Sequence, residues 1–150
     1  MAQAPTPCRA LLFALEGRNY AIRVAAVGGV AESGPIRKLP GAPSAVVGLA
    51  EWRGNVLTVL DLPHLLGHAP GDAAPCLIRL APPLHQAALL LTAYLSVADV
   101  DSDSEPFEVD GPDGGTHGFM ARVEHEGSVV RLIDPVRLFR HVDSEARGLP

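Results

Sequence analysis

The chain is short of cysteine, of aromatics, of long apolar runs and of positive charge. Cys8 and Cys76 are the two cysteines in 150 residues. Two thiols make no disulfide framework, and neither has a Cys or His partner at metal-ligand spacing, so both read as reduced. Aromatic residues are 5% of the chain, with Trp52 the single tryptophan, which leaves Val, Ala and Leu to build the core. The longest apolar stretch, Ala87 to Ala98, is interrupted by Thr92 and Ser96 and falls short of the roughly 20 residues a bilayer-spanning helix needs. The start, MAQAPTPC, has no charged segment leading into an apolar one, so no secretory signal is expected and the protein reads as cytoplasmic. Net charge is -5. Without a basic stripe there is no electrostatic footprint for nucleic acid. No Gly-x-Ser-x-Gly elbow or Gly-rich phosphate loop occurs, so neither a nucleophile nor a cofactor cradle is in view, and the chain is expected to be non-enzymatic and to carry no cofactor.

What is present is 47% hydrophobic residues, punctuated by fifteen Gly and fourteen Pro, a composition of many short strands and hence a mainly β fold. The organising stretch is Val46 to Gly67, VVGLAEWRGNVLTVLDLPHLLG. Two apolar runs flank an Arg53-Gly54-Asn55 corner, with Gly54-Asn55 expected to supply the positive φ of a tight hairpin. Asp61 is placed to cap a short helix that Gly67 ends. The plan repeats without a gap 73 residues on: GSVVRLIDPVRLF from Gly127 lies on GNVLTVLDLPHLL from Gly54, so Asp134 falls on Asp61. This offset exceeds the 20 to 50 residues of solenoid repeats. It predicts two small units, about 9–67 and 75–142, joined by a His68 to Pro75 linker, with a disordered lead at 1–8 and a tail at 143–150. Further strands are expected at Leu11 to Leu15, Tyr20 to Val24, Ile36 to Leu39, Cys76 to Leu80 and Ala87 to Val97. Gly28-Gly29 inside an apolar run predicts a bulge or a close backbone approach.

These residues resemble the CheW-like adaptors of bacterial chemosensory arrays. The resemblance rests on Phe13-x-Leu15, Tyr20-x-Ile22, Val27-x-x-Val30, Ile36, the Pro40 to Pro43 loop, Gly48-x-x-x-x-Arg53-Gly54 and Val59-Leu60-Asp61-Leu62, with Gly118 to Ala121 and Leu132-Ile133-Asp134 in the second half. It implies two five-stranded SH3-like β-barrels side by side, with a short helix after each barrel's last strand, in a single CheW-like domain over 9–142. It also implies a scaffold that binds the hairpin tip of a chemoreceptor and the regulatory domain of a CheA-type kinase, or another CheW-like domain. The partner-facing residues it suggests are Glu51, Trp52, Arg53, Val27, Gly29, Val30 and Leu39, with Gly54, Asp61 and Asp134 structural. Arg53 is either receptor-facing or a fork holding the corner's carbonyls. Trp52 is either a binding anchor or a ring packed between barrels.

Departures from the family pattern carry their own expectation. Gly29 stands where an acid is usual, Glu51-Trp52 where Asn-Leu is, and Thr92-Ala93 where Val-Asp is. Each alters a charge or amide that could pair across an interface, which points to weakened kinase coupling, as in the accessory members of gliding or pilus systems. A rival from another class is a small-ligand or calcium sensor built on the acidic loop 99–113, which has seven acids and no Lys or Arg. Asp99-x-Asp101-x-Asp103 with Asp110 at the twelfth place resembles a calcium loop, but Ser104 replaces the required Gly and Pro106 interrupts it. His64 and His68 are four apart with no third ligand, so no metal site is expected.

Overall fold

The computed structural model describes residues 6–102 and 120–146. Ten strands and two helices follow one another: β1 (Thr6–Leu15), β2 (Arg18–Arg23), β3 (Val27–Glu32), β4 (Val46–Trp52), β5 (Asn55–Asp61), α1 (Leu62–Leu65), β6 (Cys76–Leu80), β7 (Ala87–Leu91), β8 (Ser96–Ser102), β9 (Met120–His125), β10 (Ser128–Ile133) and α2 (Pro135–Ala146). Three hairpins share one turn chemistry. In the β4–β5 turn Arg53 has φ 48° and Gly54 φ 83°, the left-handed pair of a two-residue turn whose twist matches its strands. The corner is therefore Arg53-Gly54, not Gly54-Asn55, and Asn55 opens β5 opposite Trp52. Glu16-Gly17 and Glu126-Gly127 make the same turn before β2 and β10.

The expected two five-stranded units are there, but they are not the two halves of the sequence. β1, β2, β10, β9 and β8 close a barrel, while β3, β6, β7, β5 and β4 form a second five-stranded sheet whose outer strands are β3 and β4. That sheet is one continuous stretch, Val27 to Leu91, nested between the two ends of the chain that make the barrel. The boundary expected at 68–75 is accordingly no boundary. Two parallel pairings produce the nesting: β10 lies along β2 (Ile133 opposite Ile22), and β5 along β7 (Leu60 opposite Leu89). Parallel neighbours cannot be joined by a tight hairpin, so each unit takes its parallel partner from distant sequence. The run Ala87 to Val97 is likewise two strands, since the chain leaves the sheet after Leu91 and enters the barrel at Ser96.

The ends differ from expectation for the same reason. β1 starts at Thr6, inside the expected lead, because it pairs with β8 (Cys8 opposite Val100). The last helix runs to Ala146, into the expected tail, with Leu138 and Val142 buried on its core side. Ile36 to Leu39 makes only a bridge, Arg37 to Leu49.

Period-two alternation divides the interior into three clusters. From β10, Val130 and Leu132 fill the barrel, while Ile133 enters the large core shared by both units. From β7, Leu89 and Leu91 enter that shared core, and Ala88 faces a third cluster with Leu57, Val59 and Leu77. β7 is buried on both faces, which is why it reads as an unbroken apolar run. Each fully buried Leu contributes about 1.5–3 kcal/mol. The repeated caps sit where expected: Asp61 Oδ1 accepts the His64 amide at 3.2 Å, and Asp134 Oδ1 accepts the Val136 amide at 3.0 Å.

Candidate partner-binding surfaces

The β4–β5 hairpin presents the first surface. Arg53 is exposed at its tip and, among the described residues, makes no hydrogen bond or ion pair. The corner is held by Gly54 and the Trp52–Asn55 pairing, not by a guanidinium fork. Glu51 and the 62%-exposed Val56 line a groove of about 620 Å³ with Pro35, Ile36, Arg37 and Leu49. Charged groups at the rim and apolar surface at the floor suit a protein segment better than a small polar ligand.

Trp52 is only partly a surface residue. Its ring packs on the third cluster, inside the open sheet and not between the two units. Its far edge covers Gly29: a Cβ added there would lie 3.1 Å from Trp52 Cζ2. Trp52 thus spans from β4 to β3, the two outer strands that share no ladder, and fills the gap between them. Gly28 shows the expected bulge and close approach, with the register shifting between Val27 and Gly29 and a Cβ on Gly28 only 3.0 Å from the Leu80 carbonyl oxygen. Of the remaining suggested residues, Val27 packs into the shared core, while Val30 and Leu39 are exposed outside the groove lining.

The linker between α1 and β6 is strapped across both units. His68 meets the buried Tyr20 hydroxyl through Nε2 and Glu16 through Nδ1, at 3.0 Å from Oε1, and the Ala69 amide donates to the same oxygen at 2.8 Å. The Ala69 amide, then His68, hold the Glu16 carboxyl below its ordinary value. Further along, Gly71 N donates to Thr92 Oγ1 at 2.7 Å and Ala73 N to the Thr92 carbonyl at 3.1 Å. Thr92, one of the departures, is therefore the strap's anchor. His64 and His68 do not converge: His64 Nε2 meets Ser44 Oγ at 3.5 Å, while His68 meets Tyr20 and Glu16. Most of the acidic loop 99–113, including the calcium-loop resemblance, lies outside the described residues.

A second concavity, about 410 Å³, is the mouth of the barrel, lined by Asn19, Tyr94, Ser96, His125, Glu126 and Ser128 among others. Nothing in the sequence pointed to it, because Tyr94 is embedded in a run that reads as a strand.

Among the described residues no three metal-ligating side chains gather, and what the surface offers is grooves and exposed apolar groups on a rigid β frame. By class this is a docking module. The chain belongs to the CheW-like domain family, whose model matches residues 9–143, and as such it is a non-enzymatic scaffolding and adaptor domain of chemotaxis signalling. CheW-like domains in general bind chemoreceptors and CheA. The fold is similar to that of a scaffolding protein, TtCheW from Thermoanaerobacter tengcongensis, with a TM-score of 0.73 and 21% identity over 93% of this chain and 92% of that one. No curated protein matches the chain.

Proposed function

We propose that this chain is a cytoplasmic coupling adaptor at chemoreceptor clusters, with the hairpin groove receiving the tip of a methyl-accepting chemoreceptor and a separate face joining a CheA-type regulatory domain or another CheW-like domain. The observation that carries the reading is the unpaired Arg53 beside exposed Val56 and Glu51. A guanidinium held at a tight turn with no partner among the described residues is available for charge-assisted hydrogen bonds to a second molecule. Of the substitutions that suggested an accessory member, Gly29 lies under the Trp52 ring and Thr92 anchors the strap, so these two have internal duties. We therefore propose that kinase coupling is retained.

The test is calorimetric titration of the full chain, separately, with a receptor tip and with the kinase regulatory domain. Binding to both is expected, and Arg53→Ala should weaken the receptor arm about tenfold while leaving thermal melting unchanged. Binding to the receptor alone would restore the accessory reading, and binding to neither would sink the proposal.

A further inference from the structure

The barrel mouth has a side-chain chemistry unlike that of the hairpin groove. Tyr94 is 84% exposed, far more than any other described aromatic. A ring held in water at a turn contributes little to the core, and its face is an attractive surface for a cation. Glu126 lines the same mouth with its side chain 85% exposed. Among the described residues its one ion-pair neighbour is His125, whose Nε2 lies 3.8 Å from Glu126 Oε1. His125 Nδ1 lies 3.1 Å from the Asp99 carbonyl oxygen, and a carbonyl accepts only, so Nδ1 carries the proton. In the neutral ring Nε2 is then bare, an acceptor beside a carboxylate. Ser96, Ser128 and Asn19 add further acceptor oxygens, and no Lys or Arg is among the described residues that line the mouth.

An aromatic face, an exposed carboxylate beside the His125 ring and several acceptors, with no Lys or Arg among the described lining residues, complement a side chain that is planar, cationic and purely a donor. We infer that the barrel mouth docks an arginine side chain of a protein partner, stacked on Tyr94 and paired with Glu126. Arginine fits better than lysine because its flat fork stacks on the ring and presents five N–H groups at once. For the identity of the partner the inference rests on the adaptor reading; for the site itself it does not.

The experiment has two arms. In the first, amide NMR spectra of the full chain are recorded with millimolar N-acetylarginine methylamide, with its uncharged citrulline isostere and with the lysine analogue. Saturable shifts at Tyr94, Ser96 and Glu126 are expected with arginine, at least threefold weaker binding with lysine and none with citrulline. Tyr94→Ala and Glu126→Gln should each abolish the arginine response, and Tyr94→Phe should keep it. An absent response at these amides, or an equal one with citrulline, overturns the site. In the second arm, Tyr94→Ala is compared with wild type for the kinase regulatory domain and the receptor tip. About a tenfold loss against one of them is expected. Unchanged affinity for both overturns the protein-partner assignment while leaving the adaptor reading intact. If wild type binds neither, the adaptor reading fails and the first arm alone decides the site.

Discussion

Gly29 and Trp52 behave as one unit. The missing side chain at one position is the space occupied by the large ring at the other. Gly29→Val should push the indole aside and destabilise the fold by about 1–3 kcal/mol, as overpacking does. Adding Trp52→Leu should recover most of that loss, a coupling that urea denaturation of the two single variants and the double variant measures directly. The Gly28-Gly29 pair announced a close approach in the sequence because glycine inside an apolar run has few other uses. Which group approaches was not legible, since the ring arrives from the opposite outer strand of the sheet, four ladders away. Arg53 contrasts with Trp52: Arg53→Ala should shift stability by no more than about 0.5 kcal/mol, because no hydrogen bond or ion pair among the described residues is lost.

Turns and caps were the most legible elements, for they depend on local chemistry alone. Gly54 and Gly127, with Asp61 and Asp134, repeat because each hairpin must end in a stopped strand and a started helix. Asp134→Ala removes the acceptor for the first free amides of α2 and should cost about 1 kcal/mol, read from the urea midpoint. The same change at Asp61 should also release the short α1, seen as faster hydrogen exchange at His64. Thr92→Val keeps the shape and removes the acceptor of the Gly71 amide, so it should destabilise by about 1–3 kcal/mol and speed exchange at Gly71. The break between β7 and β8 stayed hidden because residues 92–95 contain neither Gly nor Pro and the hydrophobic run passes straight through them. Likewise α2 outlasts its expected end because Val142 is still buried, a tertiary fact that no local signal conveys.

For the molecule as a whole, the strap gives acid sensitivity a definite sign. Glu16 titrates lower in the folded protein than its ordinary value of 4.5. Its contribution to stability is therefore fully present above that value and is lost as the pH falls through the depressed one. Glu16→Gln should flatten this part of the acid limb without changing its shape near neutrality, which urea midpoints measured across the acid range will show. That the strands are short and fall into two small units was legible in composition, turns and the 73-residue repeat, while five strands to each came from the family resemblance. Their membership was not legible, because parallel pairing between distant strands leaves no mark on either strand's own sequence.

The nesting of one sheet inside the other also orders events at the ribosome. Residues 27–91 can complete their five-stranded sheet as soon as β7 is out, whereas the barrel cannot close until β10, the partner of β2, has been made. At synthesis rates of about 5–20 residues per second, the β1–β2 hairpin must wait for seconds with Leu11, Phe13 and Leu15 uncovered. The N-terminal hairpin, first to be made, is thus among the last parts to be buried, and it is the segment of the nascent chain most in need of a chaperone's cover.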